Sequence, residues 1–225
     1  MAGSAGHSIR GMWRIDLHTH TWASRDSKND PAALVERARE IGLNKIAVTD
    51  HNTIEGALAA QRLAPDLVIV GEEIATETGG ELIAYFISEA VPKGLSVAET
   101  LRRLRAQGAL ISVSHPLDSL RGSALGERLT LEIIEQVDAL EVFNARCLKA
   151  EDNRRAAELA KRYGKAGTAG SDGHTLRELG AGYLTLPPFK SNADALLSSL
   201  ARATPGGRLS GLWPHFASTF AKFGR

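Results

Sequence analysis

The feature that most limits how this chain can fold is a recurrence. A short apolar run ends in a polar residue able to hold a cation, a stretch of helical spacing follows, and another apolar run begins. Arg14 to Leu17 leads into His18-Thr19-His20, Lys45 to Thr49 into Asp50-His51, and Asp66 to Val70 into Gly71-Glu72-Glu73. Ala109 to Ser114 leads into His115-Pro116, Ala139 to Phe143 into Asn144, and Lys165 to Ala169 into Gly170-Ser171-Asp172-Gly173-His174. Short strands alternating with helices predict a parallel α/β barrel, in which residues just past the strand ends gather at one rim, where active sites lie. Five of the seven histidines stand at such ends. On a strand the rings of His18 and His20, two positions apart, point to one face and suit a divalent zinc, iron or manganese ion.

The segments between fit this frame. Asp30 followed by Pro31 predicts a helix start, with Leu34, Val35, Ala38 and Ile41 on one face and Gly42 as its stop. Further helices are expected over Ile54 to Leu63, from the Ser96 and Glu99 capping box to Gly108, over Leu129 to Gln136, over Glu151 to Tyr163 and over Ala193 to Leu200. Gly79-Gly80 turns the chain into Glu81 to Ile87, antiparallel to the strand before it or its continuation, and Ala181 to Leu186 closes the sheet. The expected organisation is a loose N-terminus (1–13), one barrel (14–204) and a tail (205–225) with Trp213, Phe216, Phe220 and Phe223 among basic residues. A net charge of +1 gives no bulk reason to bind nucleic acid or an anionic membrane. The absence of a signal-like or bilayer-spanning run leads to the expectation of a cytoplasmic protein. A single cysteine, Cys147, excludes an internal disulfide and is expected to be a packed or idle thiol.

Four motifs in order carry a resemblance: Asp16-Leu17-His18-Thr19-His20-Thr21, Thr49-Asp50-His51-Asn52-Thr53, Ser114-His115-Pro116 and Gly170-Ser171-Asp172-Gly173-His174. Together they resemble the PHP domain, the polymerase and histidinol phosphatase superfamily of metal-dependent phosphoesterases, and Gly71-Glu72-Glu73 fits its glutamate motif. The resemblance implies a distorted TIM-like barrel of seven parallel-type strands whose rim holds two or three divalent ions, zinc, manganese or iron. The ligands it implies are His18, His20, Asp26, His51, Glu73, His115, Asp172 and His174, with Asn144 at a place where members vary.

Cations so held would bind phosphate oxygens and lower the pKa of a water toward ~7. Glu73 has the reach to bridge two ions, Asp50 would orient a ligand or accept a proton, and Arg121 and Arg146 would fork onto phosphate. The expected substrate is a small phosphorylated molecule, a nucleotide phosphate or a short oligonucleotide end. Two other readings are an amidohydrolase-type metal enzyme with a carbonyl substrate, and a non-catalytic protein with structural metals. Oligomeric state is left open by the sequence.

Overall fold

The computed structural model describes residues 11–211. Most of the expected loose N-terminus (1–10, with His7) and the aromatic part of the tail (212–225, with Trp213, Phe216, Phe220 and Phe223) lie outside the described residues. Nine strands and six α-helices follow one another as β1 (Trp13–Thr19), α1 (Pro31–Glu40), β2 (Lys45–Val48), α2 (Glu55–Leu63), β3 (Val68–Ala75), β4 (Glu81–Tyr85), α3 (Val97–Ala106) and β5 (Leu110–Val113). Then come α4 (Gly126–Glu132), β6 (Ala139–Asn144), α5 (Ala150–Arg162), β7 (Ala166–Gly170), β8 (Gly182–Leu186), α6 (Ala193–Leu200) and β9 (Thr204–Gly207).

The sheet order is β7-β6-β5-β4-β3-β2-β1-β8-β9. The pairs β1–β2, β2–β3, β5–β6 and β6–β7 are parallel, whereas β4 runs against both its neighbours. The barrel closes where the chain leaving β7 meets the end of β1: Asp172 N–H donates to the His18 carbonyl at 2.8 Å and His20 N–H to the Gly173 carbonyl at 3.0 Å. The other half of β1 pairs antiparallel with β8, Trp13 to Ile15 against Leu186 to Leu184. The expected count of seven parallel-type strands is therefore corrected to nine among the described residues. Seven strands form the wall, and the β8–β9 hairpin wedges in beside β1. The wedge is possible because backbones approach closely there: a Cβ on Gly170 would lie 2.3 Å from His18 Cβ, and one on Gly182 2.1 Å from the Gly170 carbonyl oxygen.

Local chemistry sets the helix starts. Asp30 Oδ1 accepts from the N–H groups of Ala32 and Ala33, and Ser96 Oγ from Glu99 N–H. Three boundaries differ from expectation. The helix placed over Leu129 to Gln136 is α4 followed by a separate 3-10 turn at Ile134–Gln136. β3 runs on through Glu73, which is thus within a strand rather than past its end. Pro205 to Gly207 belong to the sheet, pairing with β8, so the tail starts later than position 205.

The apolar side chains form two layers. One lies between the sheet and its helices, with Leu34, Val35, Ile46, Val48, Leu101 and Leu104 among its members. The other takes residues from every strand except β9, including Ile15, Ile69, Ile83, Leu110 and Leu184, and fills the barrel, with Leu196 and Leu200 of α6 packed into the same cluster. Above this filling, Ser112 and Thr168 share a hydrogen bond of 2.8 Å, and above them the barrel mouth is lined by ionisable groups. Each fully buried Leu or Ile contributes roughly 1.5–3 kcal/mol, which supports a layer of charge that would be costly alone. No helix among the described residues is long and apolar enough to cross a membrane.

Candidate metal centre

Two irregular strands aim the first ligands. The register of β1 shifts between Asp16 and Thr19 and that of β6 between Glu141 and Phe143, and bulges of this kind re-aim side chains. Their products meet, for His18 Nδ1 lies 2.9 Å from Glu141 Oε1. Gly167 accommodates the β6 bulge, since a Cβ there would stand 2.8 Å from Val142 Cγ2. Left-handed backbone at His115 (φ 27°) and Asp172 (φ 52°), rare for residues with a Cβ, turns two more candidates into the mouth.

Imidazole nitrogens and carboxylate oxygens converge there. His18 Nε2 is 3.3 Å and His20 Nε2 3.6 Å from Glu73 Oε2, and His20 Nε2 is 3.2 Å from Asp172 Oδ1. His51 Nδ1 lies 3.0 Å from Glu73 Oε2 and 3.5 Å from Glu81 Oε1, while His115 Nε2 lies 3.1 Å from Glu73 Oε1 and 3.4 Å from Glu81 Oε2. On the far side, His174 Nε2 is 3.3 Å and His51 Nε2 3.7 Å from Asp26 Oδ1. Three sets of potential ligand atoms lie within 4.8 Å of one another: His18, His20 and Glu73; His51, Glu73 and Glu81; and His20, His51 and His174. Glu73 Oε2 and Asp172 Oδ1 are buried with no donor aligned on them, despite nitrogens at these distances. Lone pairs that converge on a point rather than on each other's protons are what a cation requires, so these residues fit divalent ions with mixed nitrogen and oxygen ligands.

The partners behind the rings fix their orientation. The Glu141 carboxylate takes the Nδ1–H of His18, which makes Nε2, on the side of Glu73, the nitrogen that a cation would take. Ser24 Oγ donates to Asp50 at 2.7 Å and lies 3.2 Å from His20 Nδ1, so it can accept that ring's proton. Asp50 is itself saturated by the N–H and hydroxyl of Thr21 and by Ser24; it acts on His20 through Ser24. Gly56 of α2 has no room for a side chain against this clamp, a Cβ falling 1.9 Å from Thr21 Oγ1 and 2.3 Å from Asp50 Oδ2. His174 Nδ1 stands between the Asp172 carbonyl, at 2.8 Å, and the Arg146 guanidinium, which select opposite tautomers.

Without cations the rings divide the protons. Burial and the charges of His174 and His51 push His20 well below the ordinary imidazole range. For His51 burial favours the neutral ring, but Glu73, Glu81 and Asp26 lift its pKa to about 9. Burial opposes ionisation of Glu73 and Asp172 too, yet His18 and His51 beside the first, and Arg121 and His18 beside the second, hold both well below the carboxylate range. Glu72 contrasts with its neighbour. It points away from the site, accepts from Val91 N–H, and burial raises its pKa to about 7.

All eight expected ligands, His18, His20, Asp26, His51, Glu73, His115, Asp172 and His174, come together. Asn144 lies at their edge with its amide committed: Nδ2 donates to Glu141 and Asp172, and Oδ1 accepts from Arg146 N–H. Arg121 is held by Asp172 Oδ2 at 2.5 Å and Asp118 Oδ2 at 3.4 Å. Cys147 is buried, and burial pushes its thiol up, so it stays protonated as a packed residue. Sequence reasoning missed Ser24, Glu81, Glu141 and Glu178, whose carboxylate accepts from the backbone N–H groups of His174 and Thr175. Glu141 alone carried a signal, being a charge in the middle of the apolar run Ala139 to Phe143. The site opens into a cleft of about 1030 Å³ bordered by Arg25, Lys93, Arg121 and Arg146, with no Phe, Tyr or Trp in its lining among the described residues.

Comparison with known proteins agrees with this geometry. A model of the PHP domain matches residues 16–123, and a model described as PHP-associated matches residues 150–205. An uncharacterized protein of Methanocaldococcus jannaschii is 38% identical over 175 residues, 76% of this chain and 69% of that protein. A 5'-3' exoribonuclease of Haemophilus influenzae is 32% identical over 103 residues, 43% of this chain and 37% of that enzyme. Among solved structures, a two-domain protein of Bacteroides vulgatus containing a predicted PHP-like metal-dependent phosphoesterase superposes with a TM-score of 0.73 at 19% identity, covering 88% of this chain. The chain spans 65% of that larger protein.

Proposed function

This chain belongs to the PHP family, and on that premise we propose that it is a metal-dependent phosphoesterase acting on a terminal phosphate of a nucleotide or a short oligonucleotide. The observation that carries the reading is the cage itself, in which His18, His20, His51, His115, His174, Asp26, Glu73 and Asp172 direct nitrogen and oxygen lone pairs into one volume. Its opening onto a wide cleft separates it from structural sites, which are closed by protein on every side. Two or three divalent ions of zinc, manganese or iron would supply Lewis acidity at a phosphate oxygen and a water that ionises near neutral pH.

The chain's own residues supply the rest. Arg121 is clamped between two carboxylates, while its Nη2 has no partner among the described residues and is available to a phosphate oxygen. Arg146, buried beside His174, places a second cation on the cleft wall. Arg25 and Lys93 border the outer cleft, where further phosphates of a substrate would lie. Among the described residues the lining carries no Phe, Tyr or Trp ring on which successive bases could stack, which favours recognition of a phosphate end over passage along a strand. The exoribonuclease relative supports the nucleic-acid side of this reading.

The test is phosphate release by protein loaded with zinc, manganese or iron, across nucleoside monophosphates, sugar phosphates, 5'-phosphorylated oligonucleotides and amides. Release from a nucleotide or oligonucleotide, abolished in His51→Ala while circular dichroism stays unchanged, is the expected result. Hydrolysis of amides alone, or phosphate release indifferent to His51→Ala, would overturn it.

A further inference from the structure

On the flank of the barrel the start of β1, α1, the loop after β7 and the end of β9 border a second, open cavity of about 430 Å³, a volume typical of small-molecule sites. Arg14, Arg37, Arg177 and Arg208 all line it, and no carboxylate does so among the described residues. Four guanidinium groups gathered from four separate elements repel one another unless an anion stands between them. Only Arg37 has an acidic partner, Glu40, 3.1 Å away on the exposed surface of α1. Arg177 and Arg208 make no side-chain hydrogen bond or ion pair among the described residues. Arg14 uses Nη1 and Nη2 on the carbonyls of Ile41 and Gly180, while its Nε is buried without a partner. The Tyr183 ring is closed to a stacking base, because Arg14 lies 4.0 Å from its centroid and Gly206 packs so tightly that a Cβ there would sit 2.8 Å from the ring.

We propose that this cavity binds the diphosphate or triphosphate group of a small molecule. Two phosphoryl groups carry about three to four negative charges, which four guanidinium groups match, and the blocked tyrosine leaves phosphate rather than a base as the recognised part. The proposal stands on residues outside the metal centre, so either can fail without the other.

Pyrophosphate titrated calorimetrically into the metal-stripped full chain is the probe, with inorganic phosphate and a single-stranded oligonucleotide lacking a terminal phosphate as the other arms. Arg177 and Arg208 are exposed, so Arg177→Ala/Arg208→Ala keeps the fold, as circular dichroism would check. The double substitution is expected to weaken pyrophosphate binding about tenfold or more, the value of a charge-assisted hydrogen bond, while Arg121→Ala/Arg146→Ala leaves that binding in place. Equal binding by wild type and the Arg177→Ala/Arg208→Ala protein would overturn the proposal. So would inorganic phosphate binding as tightly as pyrophosphate, or retention of the oligonucleotide alone through the same arginines.

Discussion

Replacing Glu141 by glutamine tests how the cage is held, because the two oxygens of this buried carboxylate do different work. Oε1 accepts from His18 Nδ1 at 2.9 Å, whereas Oε2 accepts from His115 N–H at 2.8 Å and Asn144 Nδ2 at 3.1 Å. An amide nitrogen in the Oε2 position would face two buried donors and leave them unpaired, at roughly 1–3 kcal/mol each. The glutamine therefore settles with its nitrogen against His18, which must then present a lone pair at Nδ1 and carry its proton on Nε2. That proton points at Glu73 Oε2, 3.3 Å away, where a cation is to bind. Burial opposes a charge on His18 in the metal-free fold, yet Glu73, Asp172 and Glu141 hold its pKa well above the ordinary imidazole range, so removing the Glu141 charge lowers stability as well as cation affinity. Outer partners of ligating histidines are worth about 10–100-fold in affinity, or roughly 1.4–2.8 kcal/mol. Chelator competition with zinc at fixed pH, run beside thermal denaturation of the metal-free protein, measures both quantities. Wild-type cation affinity in Glu141→Gln would refute the tautomer argument.

Other perturbations follow from the same geometry. The metal-free pKa of His51, about 9, lies above its ordinary 6.5, so its contribution to stability is full below pH 6.5 and lost as pH rises through 9. The metal-free protein should therefore melt at lower temperature across that interval while cation affinity rises, with proton release on binding measurable in buffers of different ionisation enthalpy; a flat melting profile would contradict it. Asp16→Ala strips acceptors from the buried N–H groups of His18, Ser171 and Gly180 and should lower stability by roughly 3 kcal/mol, read as a shifted urea midpoint at unchanged slope. Gly170→Ala drives a Cβ to 2.3 Å from His18 Cβ and 2.6 Å from its backbone nitrogen, so it should cost about 1–3 kcal/mol and reduce bound metal measured by elemental analysis. Ser24→Ala should weaken metal binding about tenfold in chelator competition and, because Ser24 Oγ also accepts from His51 N–H, lower stability by roughly 1–3 kcal/mol, read as a lower melting temperature.

What the sequence made legible and what it hid divide along the range of the interactions involved. Asp30 before Pro31 and Ser96 before Glu99 are local codes, satisfied by bonds to N–H groups two or three residues away, and the helices they start were readable. The histidines were readable as strand-end residues because the apolar run before each marks the strand. Asp26 could be named only through family resemblance, since a loop separates it from His20 and its partners, His51 and His174, are distant in sequence. Glu141 and Glu81 escaped because each was absorbed into a strand, and nothing nearby reveals that their carboxylates face His18, His51 and His115. The antiparallel seat of β8 against β1 and the four arginines beside it are likewise products of closure, with partners more than a hundred positions apart. Register between such distant segments is set by which side chains fill the barrel and by where glycines let backbones touch. Local pattern thus identifies the residues fit for cation chemistry, while the groups that orient them emerge only once the sheet has closed, which is why substitution of Glu141 or Asp16 probes the fold's part in the chemistry more sharply than removal of any ligand.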